Sequence, residues 1–126
     1  MSTPIPFEPE LTIAMRVSDM NASIAWYTGV LGFELLYKMD DMGWAEMKSP
    51  VPGVQLGVSQ VEAVKPGGPT PTWAVSDIDS ARATLEAQGV KFDGDTIVIP
   101  DMVKLATFFD PDGNSLMLSQ TLGQMG

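Results

Sequence analysis

The chain has 126 residues, with 16 acidic against 7 basic side chains and a formal net charge of −9. This length suits a single domain with a hydrophobic core. The acidic balance argues against nucleic acid as a partner, because phosphate binding needs a basic face. The sequence contains no histidine and no cysteine, which removes the commonest metal ligand, the usual general base, disulfides and thiol chemistry.

The sequence gives no sign of a membrane segment. It lacks a run of about 18 apolar residues, which a spanning helix would need. Its first nine residues have neither the basic stretch nor the apolar stretch of a signal peptide. Together with the absence of cysteine, this predicts a cytoplasmic protein with no membrane partner.

The first half of the chain is predicted to contain one strand, one helix and three further strands. Alternating residues predict a strand over Leu11–Val17. Ser18 or Asp19 should cap the helix that follows, which ends where Gly32 takes the left-handed conformation. The helix is predicted over about residues 20–31 and the strands over 34–39, 44–48 and 54–59, with a hairpin turn at 40–43.

The second half repeats this order after a linker at residues 61–69. The segment VSDM at 17–20 matches VSDI at 75–78, and LGVSQ at 56–60 aligns with LMLSQ at 116–120. A strand is predicted over 70–75, a helix from 77 to 88 ended by Gly89, and strands over 92–98 with one interruption, 103–109 and 115–120. We therefore expect one α+β domain spanning residues 1–126, built from two βαβββ modules at about 10–60 and 70–120.

Each predicted sheet has one apolar face and one small, polar face. Helix-facing positions are apolar and large, as in Ile13, Met15 and Val17, whereas the residues between them, Ala14 and Arg16, are small or polar. Two mixed sheets of this kind are expected to curve around a central cleft. Clefts are the usual place for a small-molecule ligand.

Three segments resemble the vicinal oxygen chelate superfamily, which includes glyoxalase I, bleomycin-resistance proteins and extradiol dioxygenases. The segments are residues 15–27 (MRVSDMNASIAWY), 30–33 (VLGF) and 109–114 (FDPDGN). They occur in the family's order and span most of the chain. The resemblance implies the glyoxalase/bleomycin-resistance fold, with paired modules around a U-shaped cavity. It also implies a homodimer.

In metal-using members of that family, each module supplies two ligands from its strands, usually His, Gln or Glu. The matching positions here are Thr12, Gly57, Thr70 and Met117. Glycine offers no donor, threonine hydroxyls are weak ligands, and a thioether suits Cu(I) rather than divalent ions. We therefore predict no metal site, no cofactor, and loss of the Lewis acid on which the family's reactions depend.

Several other residues are candidates for contacts with a ligand. Trp44 could stack on a planar or cationic molecule, and Thr72 lies on the small, polar face of its predicted sheet. Glu46 has three open interpretations: an ordinary strand acid, a carboxylate that orients a cationic ligand, or a catalytic base. Apolar walls of the pocket could come from Trp44, Trp73, Tyr37, Phe92 and Phe108.

Three functions remain open from the sequence. The first is a metal-free protein that binds a small organic molecule, cationic or planar, as in the bleomycin-resistance branch. The second is a glyoxalase-related lyase or isomerase with Glu46 as base or with an atypical metal site. The third is a non-catalytic paralogue whose cleft mediates protein association.

Overall fold

The computed structural model of the chain describes residues 4, 6 and 8–123. The chain forms two compact units that divide between Glu62 and Ala63. Each unit contains one helix and one four-stranded mixed sheet. Neither helix in this described part has the length and apolar character that a membrane crossing requires.

The first module has its helix between the first two of its four strands. Its elements are β1 (Leu11–Val17), α1 (Met20–Leu31), β2 (Glu34–Met39), β3 (Trp44–Lys48) and β4 (Val54–Gln60). The strand order is β1-β4-β3-β2. β1 runs parallel to β4, and the two other pairs are antiparallel.

The second module repeats this topology. Its elements are β5 (Thr72–Ala74), α2 (Ile78–Ala87), β6 (Ile97–Ile99), β7 (Val103–Phe109) and β8 (Ser115–Thr121). The strand order is β5-β8-β7-β6, with β5 parallel to β8. The predicted α+β fold with two βαβββ modules is therefore confirmed.

Three predicted segments differ from the structure. Residues 40–42 form a short 3-10 turn, closed by Gly43 at φ 63°, rather than a simple hairpin turn. The predicted strand over 70–75 is reduced to Thr72–Ala74, since Pro71 cannot donate to a ladder. The interruption in the predicted strand 92–98 extends over 93–96, which leaves Phe92 in an isolated bridge and β6 with only three residues.

The segment before β6 is held by α2 as well as by backbone hydrogen bonds to β7. Arg82 donates through Nη2 to the carbonyl oxygen of Gly94 at 2.8 Å and through Nη1 to Thr96 Oγ1 at 3.1 Å. Its guanidinium also lies 4.4 Å from the ring centroid of Phe92. Since Gly94 has φ 70°, the chain turns here instead of continuing as a strand.

Both helices begin with the capping aspartate that the sequence predicts. Asp19 Oδ1 accepts from the backbone N–H of Ala22 at 3.0 Å, and Asp77 Oδ1 accepts from that of Ser80 at 3.1 Å. These bonds satisfy N–H groups that have no partner within the helix. Of the two capping candidates for α1, the structure therefore selects Asp19. Gly32 ends α1 at φ 75°.

A second contact joins each helix to the last strand of its own module. Gln60 Oε1 accepts from the backbone N–H of Met20 at 2.8 Å, and Gln120 Oε1 accepts from that of Ile78, also at 2.8 Å. The internal repeat therefore extends to the atoms that begin each helix.

Each module has a core between its helix and one face of its sheet. Tyr27 of α1 and Ile78 of α2 are both fully buried. The buried strand residues that face them are Met15, Val17, Ala45, Met47, Leu56 and Val58 in the first module and Ala106, Phe108, Leu116 and Leu118 in the second. Because side chains alternate along a strand, the intervening residues lie on the opposite face, which we call the helix-free face.

The turn between β7 and β8 is organised by one buried carboxylate. Asp110, only 4% exposed, accepts through Oδ1 from the backbone N–H groups of Asp112 at 3.0 Å and Asn114 at 2.8 Å. Its Oδ2 accepts from Asn114 Nδ2 at 3.0 Å. The family-like segment 109–114 is thus a turn closed by side-chain-to-backbone bonds.

Candidate functional site

The helix-free face of the first sheet brings several predicted site residues into one row. Gly57 on β4 lies opposite Ala14 on β1 and opposite Glu46 on β3. Glu46 in turn lies opposite Tyr37 on β2. Residues directly opposite one another project from the same face of a sheet. This row therefore runs across all four strands, with one carboxylate near its middle.

Trp44 covers the gap that Gly57 leaves in this row. A Cβ atom built on Gly57 would overlap ring atoms Cη2 and Cζ2 of Trp44, and would lie 2.9 Å from Cζ3. The six-membered ring of the indole therefore takes the space of a side chain at position 57. As a result Gly57 is buried, whereas Trp44 is half-buried.

Two hydrogen bonds connect Trp44 to Glu46 through a tyrosine. Trp44 Nε1 donates to Tyr37 Oη at 3.0 Å, and Tyr37 Oη donates to Glu46 Oε1 at 3.4 Å. The second distance is at the long end for a hydrogen bond to oxygen. A carboxylate can accept several donors, so Glu46 has capacity for a donor from a ligand.

The helix-free face of the second sheet carries hydroxyls around a thioether. Met117 on β8 lies opposite Thr72 on β5 and opposite Thr107 on β7. Thr72 Oγ1 donates to the carbonyl oxygen of Thr70 at 3.2 Å. All of these groups are neutral, which makes this face chemically distinct from the row that contains Glu46.

Thr12 and Thr70 lie one row away from Gly57 and Met117. Thr12 is opposite Gln55, and its Oγ1 donates to Gln55 Oε1 at 3.5 Å. Thr70 precedes β5, and its Oγ1 lies 2.8 Å from Ser115 Oγ. The family resemblance pairs Thr12 with Gly57 and Thr70 with Met117 as ligand positions. In the structure the two members of each pair lie in neighbouring rows and not in the same row.

The aromatic residues that were expected to form walls of the pocket have different positions in the structure. Tyr37 was expected only as an apolar wall, whereas it links Trp44 to Glu46 by hydrogen bonds. Phe92 and Phe108, also expected as walls, instead pack on each other with ring centroids 5.5 Å apart, and Phe108 is 1% exposed. Thr107 was not predicted, although its alternation with the apolar residues of β7 places it on the helix-free face.

The family model "Glyoxalase/Bleomycin resistance protein/Dioxygenase superfamily" matches residues 11–118. The chain belongs to this superfamily. A comparison with curated proteins gave no match.

Solved structures of superfamily members share the fold along nearly their whole length. A superfamily member from Sphaerobacter thermophilus is 26% identical with a TM-score of 0.79, and the match covers 92% of this chain and 99% of that one. The antibiotic-binding protein TnmS3 from a Streptomyces species is 25% identical with a TM-score of 0.76, covering 93% and 98%. The fosfomycin resistance protein FosX of Listeria monocytogenes, solved with Mn(II) and sulfate, is 14% identical with a TM-score of 0.71, covering 91% and 90%.

The residues of this superfamily member do not fit the divalent ion that metal-using members hold. Position 57 has no donor, and the Trp44 ring lies where one would begin. The second sheet offers a thioether and hydroxyls, which are poor ligands for such ions. Within residues 8–123, together with residues 4 and 6, no three acidic side chains come together as a cation site would require.

A separate cavity lies beyond the C-terminal end of β3, whereas Trp44 is at the N-terminal end of this strand. Its volume is about 270 Å³, and it is lined by Gly32, Glu34, Lys48, Ser49 and Pro50. Glu34 and Lys48 lie opposite each other across β2 and β3. None of the predicted site residues lines this cavity.

Proposed function

We propose that this superfamily member binds a small planar cation, without a metal, on the helix-free face of its first module. The observation that carries the proposal is the Trp44 ring on Gly57, directly beside the carboxylate of Glu46. A flat ligand would contact the indole, and its positive group would reach Glu46.

Three contributions to the free energy of binding favour a cation over other ligands. An indole attracts a cation through its ring quadrupole, by roughly 0.5–2 kcal/mol depending on desolvation. A hydrogen bond to a charged group contributes about 1.5–3 kcal/mol. The net charge of −9 also raises the local concentration of cations and lowers that of anions.

The comparisons support binding as the kind of function. TnmS3 is described as an antibiotic-binding protein, and the present chain is similar to it along nearly its whole length. The donor set of this chain does not suit the metal chemistry of other members. These two points favour a protein whose function is to bind an organic molecule.

A series of probes with one ring system and three charges tests the proposal. We suggest 9-aminoacridine, which is protonated at neutral pH, neutral acridine, and acridine-9-carboxylate, each titrated by calorimetry. We expect the cation to bind about tenfold or more tighter than acridine, with the carboxylate weakest, since tenfold corresponds to about 1.4 kcal/mol.

Two matched variants locate the site. Glu46→Gln should weaken 9-aminoacridine binding by about tenfold. Glu34→Gln makes the same charge change at an exposed position of the same module and should change the affinity by less than about twofold, since its charge is screened by water. Equal binding of all three probes, no binding of any, or equal losses in both variants would contradict the proposal.

A catalytic role for Glu46 is an outcome of the same experiment. Mass spectrometry of the probes after incubation with the protein should return them unchanged. Conversion that is lost in Glu46→Gln would instead favour an enzyme in which this carboxylate acts as a base.

A further inference from the structure

We propose that Gly57 is a positioning residue: its missing side chain holds Trp44, and through Trp44 also Tyr37 and Glu46, in the arrangement that binds the ligand. This inference rests on the proposed function, because it assigns a role to a residue that need not touch the ligand. It deepens that function by naming what sets the geometry of the site.

The need for glycine at this position is one of space rather than of backbone conformation. Gly57 is not among the glycines of the described chain with positive φ, so its backbone would accept any residue of the usual handedness. The obstacle is Trp44, whose ring atoms would overlap even a single methyl group. Any side chain at position 57 and the present position of Trp44 therefore exclude each other.

Displacement of the ring by a side chain on β4 would change hydrogen bonds on β2, two strands away. Trp44 lies on β3, and its Nε1 donates to Tyr37 on β2. If the indole moves off Gly57, this 3.0 Å bond is lost or lengthened. Tyr37 then loses the donor that fixes its hydroxyl beside Glu46, so a change on β4 would loosen the carboxylate.

The overlap between the Trp44 ring and any side chain at position 57 also concerns metal binding. Position 57 is one of the places where metal-using members carry a donor, as the family resemblance implies. Here a donor could not be restored at position 57 without moving Trp44. A donor at position 57 and the present placement of the aromatic ring are therefore mutually exclusive.

Gly57→Ala tests this inference, with Gly29→Ala as its matched control. A Cβ on Gly29 in α1 would meet nothing within 4 Å, so the same methyl group is added in open space. The chain has three tryptophans, whose indole N–H signals can be followed by 15N NMR and assigned with Trp44→Phe.

We expect Gly57→Ala to move the Trp44 indole signal as far as Tyr37→Phe moves it, and to leave the signals of Trp26 and Trp73 in place. Gly29→Ala should move none of the three. The affinity for 9-aminoacridine should fall about tenfold in Gly57→Ala and should stay unchanged in Gly29→Ala. An unmoved Trp44 signal in Gly57→Ala would overturn the inference.

If Gly57→Ala folds poorly, the same substitution can be tested in a protein that already carries Trp44→Ala. With Trp44→Ala already present, adding Gly57→Ala should cause little further loss of melting temperature, because the ring that it would meet is gone. An equal loss with and without Trp44 would show that the methyl group meets something else, and would also overturn the inference.

The two proposals can fail separately. The NMR and melting measurements need no ligand, so a moved Trp44 signal without any acridine binding would support the packing of Trp44 on Gly57 and contradict the proposed function. Binding of 9-aminoacridine that is unaffected by Gly57→Ala would support the function and contradict the positioning role.

Discussion

Gln60 accepts a hydrogen bond through Oε1 from the backbone N–H of Met20, 40 residues earlier, at 2.8 Å. The contact joins the end of β4 to the first residue of α1 and satisfies one of the helix N–H groups that lack a partner within the helix. Gln120 repeats this contact with Ile78 at the same distance.

Replacing either glutamine by alanine should therefore destabilise its module. We expect Gln60→Ala and Gln120→Ala each to lower the free energy of unfolding by about 1 kcal/mol, the usual net value of such a bond. Urea unfolding followed by circular dichroism measures this. Gln88→Ala, at an exposed position after α2, is the control, and an equal loss there would refute the role of the contacts.

Asp110 should contribute more to stability than an ordinary turn residue, because its buried carboxylate accepts three hydrogen bonds. We expect Asp110→Ala to cost about 2–4 kcal/mol, since hydrogen bonds to charged groups are stronger than neutral ones. Asp110→Asn should cost less, because it keeps an acceptor for the two backbone N–H groups. Chemical unfolding with Asp41→Ala, an exposed turn residue, as reference would test this, and equal losses would argue against it.

Removal of metal should leave the folded protein unchanged. We expect EDTA to have no effect on the melting temperature, and added Zn²⁺, Ni²⁺ or Mn²⁺ to give no stabilisation, because the donors at positions 12, 57, 70 and 117 do not suit these ions. The experiment needs protein without a histidine tag, since the natural chain contains no histidine. Stoichiometric metal in elemental analysis, combined with a lower melting temperature in EDTA, would contradict the prediction.

Salt should weaken the binding of a cationic probe. The net charge of −9 attracts 9-aminoacridine at low ionic strength, and this attraction is screened beyond about 10 Å at 0.1 M salt. We expect its association rate to fall as salt is raised, and that of acridine-9-carboxylate to rise or stay constant. Stopped-flow fluorescence measures both, and identical salt dependence for the two would count against electrostatic attraction.

The homodimer that the family resemblance implies stays a prediction. Sedimentation equilibrium of the purified chain should give twice the mass of 13.5 kDa. The mass of one chain at all concentrations would rule the dimer out.

The sequence predicted those parts of the fold that depend on local chemistry. Asp19 and Gly32 delimit α1 because a short acidic side chain caps a helix and glycine accepts a left-handed φ. The alternation in β1 assigned residues to the two faces of its sheet correctly, since the side-chain period of a strand is fixed. The internal repeat then transferred the same arrangement to the second module.

The details of the candidate site could not be predicted in the same way, because they depend on register between strands. The contact of Trp44 with Gly57 requires β3 and β4 to be aligned, and the sequence does not state that alignment. Tyr37 reaches Glu46 past an irregularity in the β2–β3 pairing between Leu35 and Tyr37. An irregularity of this kind moves a residue from one face to the other, so counting residues along β2 does not locate its hydroxyl.

The capping scheme has a consequence for how such a protein can diverge. Each helix is anchored by an aspartate and a glutamine from its own half, and none of these four residues belongs to either candidate row. Replacing the residues of one row therefore leaves both anchors intact. One half could acquire an aromatic ring and a carboxylate while the other kept neutral hydroxyls, so that a duplicated scaffold came to present two surfaces with different chemistry.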